Sequence, residues 1–334
     1  MIRLIKILVS LFVVASIALV AGGYLFVQSS NDLWHKSQSF ESQVYNVQSG
    51  SNLNRVLNDM FILDEIDRFR LRLWFKLDPS TASVRKGHFE LNDGMSFADI
   101  SETLQTAAEY QYRVTIIAGE TFKNVWQQLN QSEGLLASEF NESQIIEQLS
   151  VEHASMEGLL LPETYFFTSG TNAFDIVQRA HIALKQKLAQ EWDNSERPDT
   201  PLKNAYDALI LASIIEKESG QAAERPLIAS VFINRMHANM RLQTDPTVIY
   251  GMGDRYDGRI RKKDLREATP YNTYVISGLP PTPIAMASSE AIEAALNPDE
   301  SKFYYFVAKG AGEHYFSKNL AEHNRAVRKY ILKK

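Results

Sequence analysis

Twenty consecutive residues without a charge, LVSLFVVASIALVAGGYLFV from Leu8 to Val27, constrain this chain more than any other stretch. A helix rises about 1.5 Å per residue, so the run reaches roughly 30 Å, the thickness of a hydrocarbon core. Arg3 and Lys6 precede it, and the first lysine after it is Lys36. The positive-inside rule then predicts a cytoplasmic N-terminus over residues 1–7, a single transmembrane helix over 8–27, and everything beyond about residue 28 outside. A cleaved signal peptide fits less well. Its apolar region spans about 7–15 residues and ends at a small-x-small site, which is not evident here.

The 334 residues suffice for two domains, and a hydrophobic content of 45% against 22% charged supplies a real core. A net charge of −5 argues against a phosphate-binding surface, so no nucleic-acid partner is expected. With no cysteine, disulfides, zinc–thiolate sites and iron–sulfur clusters are excluded. His314 and His323 lack the HExxH spacing, and neither a metal nor a cofactor is expected.

Residues 28–40 read as a polar stalk. Beyond them, over 41–155, a weak repeat appears: YNVQSGSNLNRVLNDM (45–60), FELNDGMSFADISETL (89–104) and VTIIAGETFKNVWQQL (114–129). Each has an apolar residue three before a glycine (Gly50, Gly94, Gly119). Apolar residues follow at three, six and ten positions after it. The physical pattern is a short strand, a turn at glycine, then a helix with one apolar face. Asn52, Ser96 and Thr121 are N-cap types at matching positions. Such units resemble lysin motifs, small modules that hold N-acetylglucosamine chains, with 112–130 the best copy. Any β-turn-α unit has the same outline. Residues 131–155 read as helical, and a domain boundary falls near 155. A helix over about 173–192 and a polar loop over 193–204 follow.

The stretch ALILASIIEKESG (208–220) runs eight residues without a charge and then delivers Glu216, Lys217 and Glu218 together. The helix is apolar nearly all round, as a helix inside a domain must be. A carboxyl beside its stripe at 211, 214 and 215 would lose water, and its pKa would rise, as a proton donor at neutral pH requires. Glu216 and Glu218 sit about 200° apart round the helix, so they cannot share one cleft. Periodicity leaves open which of them carries chemistry, or whether both begin a solvated helix end.

The polar row Arg241, Gln243, Thr244, Asp245 and the segment TPYNTYVISGLPPTPI (269–284) mix tyrosine with amides and hydroxyls. Rings stack on pyranose faces and amides read hydroxyls, so these residues suit a sugar, although a Pro-rich loop is also a common connector. Asn234–Arg235 ends an apolar helix and is expected to pair with a carboxylate or with backbone carbonyls. Glu157 and Glu163 are expected at the domain junction. KGAGEHYF (309–316) reads as the turn of a hairpin between 303–308 and 314–316.

The order ASIIEKES (212–219), VFINRM (231–236), RLQTDPTVIYG (241–251), YNTY (271–274), GLPPTPI (278–284), then Asn297–Pro298, Tyr305–Val307 and His314–Phe316, resembles the endolytic murein transglycosylase family (MltG, YceG-like). EGLLLPETY (157–165) resembles a further segment of it. The resemblance implies a lyase anchored in the bacterial inner membrane with its catalytic domain outside the cytoplasm. Such enzymes cut the bond between N-acetylmuramic acid and N-acetylglucosamine without water and leave 1,6-anhydro ends. It places the catalytic acid at Glu218. Tyr271, Asn272 and Tyr274 become candidate substrate contacts, with Gln243, Asp245, Glu216, His314 and Asn234 behind them. The expected fold is α+β: one transmembrane helix, small lysin-motif-like β/α units, and a mixed α+β transglycosylase domain over 156–334. Peptidoglycan strands are the expected partner, with cell-wall synthases and division proteins natural neighbours by placement. The alternatives are a muramidase that hydrolyses the same bond and a non-catalytic glycan-binding scaffold.

Overall fold

The computed structural model describes residues 2–195 and 200–333; residues 196–199 of the expected polar loop lie outside them. The chain forms two compact units, Met1–Tyr112 with Phe167–Ser169, and Arg113–Phe166 with Gly170–Lys334.

In the first unit the apolar run is one helix, α1 (Ile2–His35), long and apolar enough to cross a membrane. Strand β1 (Gln43–Val47), helices α2 (Leu53–Met60) and α3 (Glu65–Leu77), strand β2 (Gly87–Leu91) and helix α4 (Phe97–Thr106) follow. β1 and β2 pair antiparallel, from Gln43↔Leu91 to Val47↔Gly87. The stalk reading is corrected here. Residues 28–35 continue α1, because Trp34 is buried and stacks on Trp74 of α3 at 5.8 Å. Polar composition there marks only the wet side of the helix.

The repeat folds as its pattern predicts in all three copies. Gly50, Gly94 and Gly119 have φ of +80°, +87° and +83°, a left-handed turn that glycine adopts without strain. Asn52, Ser96 and Thr121 accept from the backbone N–H of Arg55, Asp99 and Asn124, each cap stabilising its helix by about 1 kcal/mol. Of the nine apolar helix positions, all are buried except Met60, which is half-buried.

The third copy, β3 (Tyr112–Thr115) and α5 (Phe122–Gln131), folds mostly with the second unit, so the boundary lies at Tyr112/Arg113 and not near 155. Backbone pairing explains this. Gly119 N–H donates to Met286 O and Met286 N–H to Glu120 O, both at 2.8 Å. Lys217 Nζ adds a bond to Gly119 O at 3.0 Å. The stretch read as helix over 131–155 holds only the short strand β4 (Leu135–Leu136) and α6 (Glu142–Leu149). β5 (Thr164–Phe167) pairs with β3, and β6 (Thr171–Asn172) lies parallel to β4.

Helices then build the core: α7 (Ala173–Asn194), α8 (Ala205–Glu218), α9 (Arg225–His237), α10 (Asp245–Met252) and α11 (Ser289–Leu296). The hairpin β7 (Tyr305–Gly310) and β8 (Glu313–Ser317) and helix α12 (Leu320–Tyr330) close the unit. α8 packs against α7, α9, α10 and α11, and every residue from Ala208 to Ile215 is buried. That surround is why the helix has no polar face until its last turn.

Glu157 is 5% exposed and accepts from Phe122 N–H (3.0 Å) and Tyr250 hydroxyl (3.1 Å), tying the start of α5 to α10. Burial pushes its pKa up to about 7. The folded state then holds a proton between about pH 4.5 and 7 that the unfolded chain has released, so stability falls as pH rises through that window. Glu157→Gln mimics the protonated form. The variant is expected to lose markedly less stability than the parent between pH 5 and 8, by up to about 3 kcal/mol, read by denaturant unfolding at each pH.

Candidate active site

The last turn of α8 presents two acids to two surroundings. Glu216 is a structural group. Its Oε1 accepts from Arg225 at 2.9 Å, its Oε2 accepts from Ser288 N–H at 3.1 Å, and its side chain is 8% exposed. Ser288 is the N-cap of α11, so this pair pins α11 to α8 and α9. Glu216 therefore leaves the set of substrate contacts.

Glu218 lies on the other side, in the wall of a cleft of about 360 Å³. The Thr244 hydroxyl donates to its Oε1. Burial pushes the Glu218 pKa up; the Thr244 bond opposes this, the Asp245 charge adds to it, and His314 opposes it. Thr244 is itself fixed: its N–H donates to Thr273 Oγ1 at 3.0 Å, and Thr247 and Thr273 hydroxyls lie 2.8 Å apart beneath it. Gln243 takes φ of +53°, a left-handed position that costs a non-glycine residue about 1–2 kcal/mol. Its N–H donates to Thr273 O at 3.1 Å, which holds that turn. Gln243 lines the cleft, as expected.

Asp245 opens α10 and accepts from the Tyr274 hydroxyl at 2.7 Å; both line the cleft. Burial, then the Asp245 bond, pushes the Tyr274 pKa up, so its hydroxyl stays protonated. The opposite wall carries Tyr304, Tyr305, Phe306 and His323. Arg235 braces that wall from below. It is 7% exposed, donates to Tyr304 O (2.6 Å) and Leu242 O (2.8 Å), and lies 5.0 Å from the Tyr305 ring centre.

The other candidates fall outside the cleft. Asn272 is 1% exposed and spends its amide on Asp264 O and Glu267 O, with its oxygen accepting from Tyr274 N–H. It orders the loop that carries Tyr274 and has no group left for a sugar. Tyr271 packs its ring 4.7 Å from Tyr250, with its hydroxyl 3.0 Å from Thr282 Oγ1. Asn234 donates to Ser301 O and Phe303 O, each at 3.0 Å, fastening the approach to β7. It borders a separate, larger depression of about 1030 Å³ that Glu218 does not reach. His314 lies behind the cleft, its Nδ1 2.8 Å from Glu224 Oε2 and its N–H donating to Glu224 Oε1.

Thr244 and the aromatic wall are the contacts that residue-by-residue reasoning missed. Both lie in segments already conspicuous, RLQTDPTVIYG and the Tyr305–Val307 run. Their roles needed the fold that brings β7 opposite α8.

The profile of the YceG-like family matches residues 45–329. This chain belongs to the YceG-like family. Among relatives, it is 30% identical over 343 aligned residues to an endolytic murein transglycosylase of Bacillus subtilis, covering 95% of this chain and 92% of that one. It is 24% identical to an endolytic murein transglycosylase of Streptococcus pneumoniae, covering 99% of this chain and 66% of that one. The crystal structure of a YceG-like protein from Listeria monocytogenes superposes with a TM-score of 0.51 at 28% identity, covering 86% of this chain and 99% of that one. In the YceG-like chain two of the conspicuous segments meet directly. A methyl group added at Gly158 of EGLLLPETY would sit 2.3 Å from Pro283 Cβ of GLPPTPI.

Proposed function

We propose that this protein is an endolytic lytic transglycosylase of peptidoglycan, with Glu218 as its one catalytic acid and base. The observation that carries the assignment is a buried carboxyl in a tyrosine-lined cleft, at the end of a helix whose residues Ala208 to Ile215 are all buried, where loss of water favours its protonated form.

Glu218, protonated, gives its proton to the glycosidic oxygen as the C1–O bond breaks. Positive charge develops at C1 of the muramic acid. The Glu218 carboxylate then takes the proton of that sugar's C6 hydroxyl, whose oxygen closes on C1. The product is a 1,6-anhydro end and no water is consumed. One carboxylate suffices because the nucleophile is already in the substrate, where effective molarity replaces a bound water. A hydrolase needs a second carboxylate at a set separation. Asp245 is the other carboxylate lining the cleft, and its Oδ1 is engaged by the Tyr274 hydroxyl. The remaining parts of the reading are a cytoplasmic N-terminus, cleavage of newly made strands beside the synthases that make them, and glycan contact by the lysin-motif-like units.

The pH profile of kcat/KM separates the neighbours of Glu218, because activity falls as the acid loses its proton. Thr244→Val removes a donor that favours the carboxylate, so the descending limb is expected to move to higher pH. Asp245→Asn removes a charge that disfavours it, so the limb is expected to move to lower pH. Both shifts are read as anhydro ends released from purified strands across a pH series. Limbs that coincide with that of the parent would remove Glu218 as the titrating acid.

A further inference from the structure

The first unit leaves an apolar stripe uncovered beside its anchor. Ile62, Ile66 and Phe69 are all exposed, and the latter two are more than half so. Positions 66 and 69 share one face of α3, and Ile62 precedes its first turn. Leu73, half-buried, continues the line.

Ring contacts fix the height of this stripe. Phe69 meets Phe26 of α1 edge-on at 5.5 Å, and Trp74 meets Trp34 at 5.8 Å. The two helices therefore run in the same direction. Phe26 lies one residue before the end of the apolar run at Val27. Phe69 thus stands at the edge of the hydrocarbon core, and Ile66, three residues earlier, stands about 4.5 Å nearer its centre. The start of α3, with Ile62 three residues before it, points toward the bilayer alongside α1.

We infer that Ile62, Ile66 and Phe69 insert into the membrane leaflet at the C-terminal end of the α1 span. Three features favour lipid as the occupant. The stripe is continuous with the exposed apolar surface of α1 through the Phe26–Phe69 contact. Arg68, Arg72 and Lys76, exposed on an adjacent line of α3, rise from the same level toward the headgroup phosphates. Of the three acids at the tip, Asp64 caps α3 by accepting from Asp67 N–H and Asp67 pairs with Arg70 at 3.0 Å, while Glu65 is exposed and limits the insertion to a shallow one. An insertion of about 5–10 Å is typical for such interfacial faces. The first unit would then be held to the bilayer at two points, which fixes its tilt as well as its height.

The chain has no cysteine, so single-cysteine variants take a spin label at one site. Full-length Ile62→Cys, Ile66→Cys and Phe69→Cys, with Glu90→Cys at an exposed position of β2 as the reference, are labelled and reconstituted into vesicles of phosphatidylethanolamine and phosphatidylglycerol. Power saturation with oxygen and with a water-soluble nickel chelate reads depth. The expected result is an oxygen-to-nickel accessibility ratio several-fold above that of Glu90, highest at Ile62 or Ile66. Ratios equal to that of Glu90 would place the stripe in water and overturn the inference. Labels immobilised and shielded from both reagents would assign the stripe to a protein contact, such as a second copy, and overturn it equally. Neither reading depends on glycan cleavage, so the inference and the proposed function fail separately.

Discussion

Glu218→Gln is expected to lower strand cleavage by about 1,000-fold or more, because in the proposed mechanism the side chain serves as acid in one half of the reaction and base in the other. Glutamine keeps the acceptor for Thr244 and cannot give or take the proton. The fold should be untouched, since the charged form of Glu218 is disfavoured by burial already. Glu216→Gln should do the reverse. It breaks the buried pair with Arg225 and weakens the hold on Ser288, costing about 3 kcal/mol of stability while leaving most cleavage intact at low temperature. Measured together, anhydro ends per minute and thermal unfolding of the two variants separate a reacting acid from a structural one two residues away. Equal losses of activity at equal stability would contradict the division of roles.

Gly158→Ala is expected to be the most damaging single methyl in the second unit. Gly158 has φ of +74°, where a Cβ costs about 1–2 kcal/mol by itself. The added methyl also meets Pro283 Cβ at 2.3 Å and Pro283 Cγ at 2.7 Å, with Ala285 O at 3.2 Å. A proline ring cannot swing aside, so one of two backbones must shift, at about 1–3 kcal/mol. A total near 3 kcal/mol corresponds to a drop of about 6–12 °C in Tm for a domain of this size. The site should suffer as well. The strand of chain from Pro283 to Met286 runs beside α8, where Ile284 N–H donates to Ser213 Oγ at 3.0 Å, and it also holds Gly119. A Tm within about 2 °C of the parent would show that the two segments have more room than this packing allows.

Local pattern made much of this molecule readable from sequence. The uncharged run of α1 and the apolar run of α8 show in residue types alone, and the β7–β8 hairpin and the three glycine turns with their helix caps rest on contacts within a dozen residues. The opposed faces of Glu216 and Glu218 follow from helix geometry alone. What escaped was set by partners far along the chain. Residues 28–35 look like a stalk until Trp74 supplies a surface for Trp34. The third repeat unit looks like its siblings until Met286 claims its turn. Asn234 has the right chemistry for a sugar, yet its amide is consumed by the distant carbonyls of Ser301 and Phe303; Asn272 is consumed nearer by, at Asp264 O and Glu267 O, in a loop with no periodicity to read. Thr244 is ordinary in sequence and becomes a partner of Glu218 only when the loop before α10 is held under the end of α8 by Thr273.

The central claim is that one carboxyl cuts glycan without water, and the mass of the cut ends tests it most directly. Purified peptidoglycan strands would be digested with residues 28–334 and with their Glu218→Gln variant, and the ends weighed by mass spectrometry. The account predicts muramic ends lighter by one water than hydrolysed ends, formed by the parent and absent with the variant. Ends that retain the added water would contradict it and turn attention to Asp245 as a second carboxylate.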